Sequence, residues 1–369
     1  MNAVSREKRS PRSSLTCLLV IVAVLGIVAT ILPITEYIDK KTPGPVFTWN
    51  GKPFRPIGVN YFPATHPWLG MWTEFNATEL ANDLQVVKSL GGNCIRTFLQ
   101  WMLVEPAMGT FNATIVNRVV TFFQVCSNAD VAVIFTFFDF GPPPWANCDR
   151  ADEMFVNQTL IAREIAQLQL IIPLVKNFSA AFVWDIRNEP ASTRLTAAQF
   201  ATWVHAISST IRAMDGDHLV VVGGGYENFE NPELYVPYVD AVCMHFYKGQ
   251  ADPDWKREFE SYVQAFKASG KPVILEEFGW PTYSGLHITE SIQADYYRSM
   301  FILCDKHGIA GVLPWCLWEY TIPIYNPSEN VYGILHPNGT WKPAAFVFHD
   351  YATGQLDTSS NFNGWEALF

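Results

Sequence analysis

The chain has 369 residues, of which 49% are hydrophobic and 16% charged, with a formal net charge of −10 at pH 7. That length fits two average domains or one large α/β barrel with its loops. The acidic balance, with no Lys/Arg-rich run after residue 12, leaves a nucleic-acid role without electrostatic footing.

Residues 1–13 form a basic segment, with Arg6, Lys8, Arg9 and Arg12. The run LTCLLVIVAVLGIVATILPI at 15–34 follows, 20 residues without a charge. About 20 apolar residues span a bilayer core as a helix, and the run exceeds the ~7–15 apolar residues of a cleavable signal. With its basic flank held in the cytoplasm, 14–34 reads as a transmembrane signal anchor, 35–44 as a stalk, and the rest as an extracellular domain. A long cleaved signal and a secreted protein are the alternative. Sequons at Asn76, Asn112, Asn157, Asn177 and Asn338 agree with an exported glycoprotein. Cys17 lies in the apolar stretch, and Cys94, Cys243 and Cys316 each sit in a separate strand-like run. They read as small buried thiols rather than a disulfide framework.

Eight short apolar, β-branched runs follow: PIGVN (56–60), NCIRTF (93–98), VAVIFTF (131–137), AFVWDI (181–186), HLVVVG (218–223), DAVCMHF (240–246), PVILEE (272–277) and IAGVLPW (309–315). Such continuous apolar character belongs to strands buried on both faces. Helical period fills the intervals. Leu80, Leu84 and Val87 follow Thr78 as N-cap and stop at Gly91; Phe200, Val204, Ile207 and Ile211 follow Thr196; Ile292, Tyr296 and Leu303 precede Gly308. The segments 99–113, 138–157 and 317–342, rich in Pro, Gly, Asn and Trp, read as loops. The alternation predicts a single-domain (β/α)8 TIM barrel over 45–352, with a polar tail at 353–369. An open doubly wound sheet is the runner-up, but no Gly-rich nucleotide fingerprint follows an early strand. The GGG at 223–225 opens into a loop and is weak evidence for phosphate.

In a barrel of this kind the site forms at the C-terminal strand ends. These ends carry Asn60 and Tyr61, Arg96, Asp139, Asn188 and Glu189, His245 and Tyr247, Glu277, Trp315 and Trp318. Two carboxylates facing each other across a sugar bond are what glycoside hydrolysis needs. No CxxC or His-x-x-x-His spacing points to a metal, and nothing points to an organic cofactor. The aromatic share of 14%, including 13 Trp, adds Trp68, Trp72, Trp101, Trp145 and Trp280 in loops as candidate stacking platforms for sugars.

The motifs FTWNGKPFRPIGVNYFP, NCIRTFLQW, RNEP, CMHFY, EEFG and YGILHPNGTWKP, in that order over about residues 46 to 350, resemble the clan A retaining glycosidases. Within that clan they are most similar to glycoside hydrolase family 5, which includes many cellulases and β-mannanases. The resemblance implies Glu189 as general acid/base, with Asn188 on the sugar 2-hydroxyl, and Glu277 as nucleophile held by Arg96 and Tyr247. It implies a subsite role for His245, and an indole under the reacting sugar from Trp315 or, second, Trp318. Adjacent strand residues point to opposite faces, so only one of Glu276 and Glu277 is expected at the barrel mouth. The acid directly before the aromatic-Gly pair matches the family pattern, leaving Glu276 toward the helical layer. Many members carry a His after the third strand, where this chain has Phe138 or Asp139.

The resulting expectation is retaining hydrolysis of β-1,4-mannan or β-1,4-glucan class glycosides without metal or cofactor. The partners would be an oligo- or polysaccharide and, through the N-terminal helix, a membrane. The alternatives are a cell-surface transglycosylase and a catalytically silent carbohydrate receptor.

Overall fold

The computed structural model describes residues 44, 46–139, 141–190, 195–224, 234–247, 254–283, 288–322 and 326–358. The basic segment, the apolar stretch and all of the stalk but Gly44 lie outside the described residues, as does the tail beyond 358. Among the described residues no helix is long and apolar enough to cross a membrane.

The first element is a hairpin that the strand pattern above passes over. β1 (Phe47–Trp49) pairs antiparallel with β2 (Lys52–Phe54), Trp49 opposite Lys52. Asn50 and Gly51 between them have φ of +49° and +72°, the backbone a two-residue hairpin turn requires and Asn-Gly readily adopts. Phe47 and Phe54 meet Phe182 edge-on at 5.9 and 4.9 Å. All three join an inner apolar cluster with Cys94, Ile134, Val183, Val221, Cys243 and Ile274. The hairpin thus stoppers the barrel at its N-terminal end, and burial of each ring stabilises by about 1.5–3 kcal/mol.

Strands form in all eight predicted runs: β3 (Gly58–Asn60), β4 (Cys94–Gln100), β5 (Ala132–Asp139), β6 (Ala181–Asp185), β7 (Leu219–Val221), β8 (Val242–Phe246), β9 (Val273–Phe278) and β10 (Gly311–Pro314). They pair in parallel and in chain order, β3 to β7 and β8 to β10. The two arcs close into a (β/α)8 barrel. Asp240 N–H donates to Val220 O at 2.8 Å and His245 N–H to Gly224 O at 2.7 Å, while Val312 N–H reaches Pro56 O at 3.0 Å. Helices Ala77–Ser89, Ala113–Ala129, Gln158–Val175, Ala197–Met214, Trp255–Lys267, Glu290–Lys306 and Pro343–Ala352 follow the strands. Between β7 and β8 the described residues hold the 3-10 turn Val236–Tyr238.

The predicted helix faces are buried at Leu80, Leu84, Val87, Phe200, Val204, Ile207 and Ile211, and Thr196 caps its helix in a capping box with Gln199. One cap differs. Asn76, not Thr78, starts the first of these helices, its side chain accepting from Thr78 N–H and Glu79 N–H at 3.0 and 3.2 Å. Asn112 and Asn157 cap the next two in the same way. Three of the five sequons are therefore helix N-caps, and Asn-x-Thr recurs here for a backbone reason.

One departure from regular pleating bears directly on the site. Met244 of β8 pairs with Leu275 of β9, but the next residue, His245, pairs with Glu277. On the other side Val312 faces Leu275 while Pro314 faces Phe278. Both neighbours see one residue too many in β9, so Glu276 is the extra residue of a β-bulge.

Candidate active site

Inward-facing side chains recur at every second strand position. Two residues beyond the inner apolar cluster, on the same faces, come Arg96, Thr136, Asp185, Gly223, His245 and Glu276. They form a polar layer beneath the C-terminal mouth. Arg96, with a side chain 0% exposed, is its hub. Its Nη2 lies 3.0 Å from both Asp185 Oδ2 and Asn188 Oδ1, its Nη1 lies 3.1 Å from Asn60 Oδ1, and its Nε lies 3.2 Å from Glu276 Oε1. Nη1 also donates to Glu277 Oε1. A Cβ at residue 223 would sit 2.8 Å from Arg96 Nη2, so the first glycine of GGG makes room for the guanidinium. Asp185, inside the run AFVWDI (181–186), is the member that the motif reading missed; an acid one residue before the end of that run was its signal.

Glu276 does not face the helical layer as strand alternation predicts. It is fully buried within the barrel, ion-paired to Arg96 and 3.6 Å from His245 Nε2. The bulge is the reason: the extra residue lets consecutive side chains, Glu276 and Glu277, both turn inward. Glu276 goes down into the polar layer and Glu277 up to the mouth.

At the mouth Tyr247 donates to Glu277 Oε2 at 2.7 Å, and His245 Nδ1 lies 2.8 Å from Glu189 Oε1 and 3.6 Å from Glu277 Oε2. One carboxylate oxygen of Glu189 lies within 4.8 Å of one of Glu277. Glu189 itself has φ +38°, a left-handed backbone that a side-chain-bearing residue adopts at a cost of about 1–3 kcal/mol. That turn aims its carboxylate back over the barrel mouth, where it is 43% exposed.

The charges are unevenly balanced. Burial lifts the Glu277 carboxyl above the ordinary range even though His245 and Arg96 pull it down. A neighbouring guanidinium alone would lower it; desolvation outweighs that pull. Burial also acts on Glu189, but the hydrogen bond and charge of His245, then Arg96, leave it below the usual value. For His245 burial alone would lower the pKa; the charge of Glu277 and hydrogen bonds to Glu189 and Glu276 outweigh it, giving about 10. Burial, then the charge of Glu276, raises Asp185 to about 7 despite Arg96.

A cavity of about 950 Å³ opens above the pair. Asn188, Glu189, Tyr247, Glu277, Trp315 and Trp68 line it, as does Asp139, which takes the place after the third strand. Phe138 is buried instead, against Trp101 at 5.6 Å. Arg96 and His245 are not in its lining and lie beneath it, against the acids they hold.

Other predicted contacts are placed elsewhere. Asn60 is fully buried, donating to the Glu276 and Leu313 carbonyls and accepting from Arg96, which makes it a strut between strands. Tyr61 is turned outward, its hydroxyl 2.8 Å from Asp83, and Trp318 lies buried beside the same carboxylate. Trp101 packs at 0% exposure with its indole N–H on Glu105, and Trp72 is equally buried with its N–H on the Phe98 carbonyl. Trp145 donates to Glu105 O, and Trp280 is buried against Tyr296. In each case a polar partner or an aromatic neighbour inside the fold wins the ring from the cavity. Glu329, Tyr332 and Glu74, which the sequence reading did not single out, line it instead.

Among the described residues Glu189, His245 and Glu277 present ligand atoms close enough for one cation. The acids around His245 favour a proton on its ring, which a metal ion there would have to displace.

Residues 48–321 match the family description "Cellulase (glycosyl hydrolase family 5)". The chain is 24% identical over 213 residues to a probable mannan endo-1,4-β-mannosidase F of Aspergillus flavus, covering 52% of this chain and 44% of that one. It is 25% identical to a β-glucuronidase of Sus scrofa, covering 82% of this chain and 44% of the relative. It therefore spans less than half the length of these two relatives. Among solved structures, an exo-β-1,4-mannosidase from Opitutaceae bacterium strain TAV5 superimposes with a TM-score of 0.74 at 25% identity, covering 84% of this chain and 61% of that one. A GH5_18 protein from Streptomyces cattleya in complex with Manβ1-4GlcNAc shares the fold with a TM-score of 0.71 at 17% identity, covering 81% and 80%.

Proposed function

We propose that this chain, which belongs to glycosyl hydrolase family 5, hydrolyses β-linked mannosides or glucosides with net retention, using Glu277 as nucleophile and Glu189 as acid/base. The observation that carries the reading is the separation of the two carboxylates, with one oxygen of each within 4.8 Å of the other. Retaining pairs stand about 5–5.5 Å apart, while inverting pairs leave about 6.5–9.5 Å for a water. Glu277 attacks C1 and forms a glycosyl ester as Glu189 gives a proton to the departing oxygen. Glu189 then takes a proton from the water that releases the sugar.

The free site must explain where that first proton comes from, because Glu189 there sits below its usual pKa. An uncharged sugar over Glu189 strips water from the exposed side of the carboxylate and raises its pKa. Glu189 takes up its proton from solvent as the sugar binds, on the carboxyl oxygen left free by His245 Nδ1, which stays 2.8 Å from the other. Glu277 stays ionised through Tyr247 and Arg96.

The mannosidases among the relatives favour mannan-type over glucan-type substrates. A glucuronide reading from the Sus scrofa relative fits the cavity less well, since its lining carries Glu74, Asp139, Glu189, Glu277 and Glu329 against Arg187. From sequence alone we also propose that residues 14–34 anchor the barrel outside a membrane; N-terminal sequencing of the mature protein, with a start near residue 35, would overturn that in favour of a cleaved signal.

Two variants test the chemistry. Glu277→Ala should abolish turnover and recover it with azide as an inverted glycosyl azide. Glu189→Ala should spare aryl glycosides with activated leaving groups far more than mannobiose. Full activity in Glu277→Ala together with an inactive Glu276→Ala would refute the assignment.

A further inference from the structure

Glu329 has no part in the two-acid chemistry, yet it lines the same cavity. It stands half-buried on the 3-10 turn Pro327–Val331, in the long connection after β10. The Trp315 side chain lies close enough to act on its carboxylate as a hydrogen-bond donor, and its one donor is the indole N–H. Glu329 is also close enough to feel the charges of both Glu277 and Glu189. Among the described residues no cation is ion-paired with it. The guanidinium in the lining, Arg187, is engaged elsewhere: Nη1 donates to the Phe138 carbonyl at 2.7 Å, and the charges of Glu164 and Asp139 act on it.

A retaining site needs its two carboxylates whichever sugar it takes, so they do not choose between neutral and acidic sugars. A further carboxylate with no ion-paired cation among the described residues does. It accepts hydrogen bonds from sugar hydroxyls, and in a cavity emptied of water it repels a second carboxylate strongly. Its bond to Trp315 has a separate effect, because it fixes the rotation of the indole that floors the reacting sugar.

We infer that Glu329 is a specificity-determining residue, which orients the Trp315 indole and excludes sugars bearing a C6 carboxylate in favour of neutral ones. This rests on the glycosidase reading above, and the two are separable by experiment. Titration calorimetry would compare mannono-1,5-lactam with its 6-carboxylate analogue, which differ in one charge, on wild type, Glu329→Gln and Glu329→Ala. Wild type should prefer the neutral lactam by at least tenfold. Glu329→Gln, which keeps an acceptor for the indole, should narrow that preference at least tenfold by tightening the acidic lactam, with the neutral one changed less than threefold. Glu329→Ala should also weaken the neutral lactam, because the indole is released. A preference unchanged within twofold in Glu329→Gln overturns the inference. Equal binding of both lactams by wild type, with mannoside turnover intact, sinks the selectivity reading alone; binding of neither sinks the glycosidase reading with it.

Discussion

Replacing Tyr247 with Phe removes one hydroxyl and nothing else. The ring keeps its edge contact with Tyr332 at 5.9 Å, so the cavity wall stays in place. What disappears is a buried hydrogen bond of 2.7 Å to Glu277 Oε2. Hydrogen bonds to charged groups contribute roughly 1.5–3 kcal/mol, and about 1.4 kcal/mol corresponds to one pKa unit. Because the bond favours the ionised carboxylate, and Arg96 and His245 remain, the Glu277 pKa should rise by about 1–2 units. Burial already holds it above the usual value, and the nucleophile must be ionised to attack. Activity is therefore present above its pKa and lost as pH falls through it, and the variant should lose it at higher pH. The measurement is kcat/KM for an aryl β-mannoside from pH 4 to 9, whose acidic limb reports the apparent ionisation of the free site. The limb should move up by about one unit or more, with a smaller drop on the plateau. An acidic limb that stays where wild type has it would refute the claim that Tyr247 holds the nucleophile in its charged form.

Arg96→Met should leave Asp185, Glu276 and Glu277 buried without their guanidinium and destabilise the fold by about 3–5 kcal/mol in urea titrations. That deficit should shrink as pH falls, because the orphaned acids take up protons, and a deficit that does not change with pH would argue against the hub. The capping asparagines separate from their sequons. Asn76→Ala should cost about 0.5–2 kcal/mol, while Thr78→Ala, which destroys the same sequon but keeps the cap, should cost less than half as much. Equal losses would mean that the side-chain cap contributes nothing.

The barrel was readable because strands buried on both faces write continuous apolar runs, and β4, β5, β6, β8, β9 and β10 each place a site residue towards the C-terminal end or past it. Arg96, Asn188, Glu189, Tyr247, Glu277 and Trp315 converge for that reason. The loop tryptophans were not readable. A ring on a strand-to-helix loop looks the same in sequence whether sugar or protein covers it, and the outcome rests on distant partners such as Glu105 for Trp101 or the Phe98 carbonyl for Trp72. The hairpin β1–β2 was legible in Asn50-Gly51 but too short to register against eight longer runs. Glu276 was misplaced because alternation assumes a regular strand, and no residue type announces a bulge.

The bulge in β9 also sets which kind of genetic change the site tolerates least. A substitution at Leu275 or Phe278 alters packing and leaves the two acids on their marks. Only Glu276 and Glu277 lie between them, so deleting either codon would erase the extra residue, restore simple alternation and leave one acid where the site has two, with every other side chain unchanged. Along this strand, residue count matters more than residue identity.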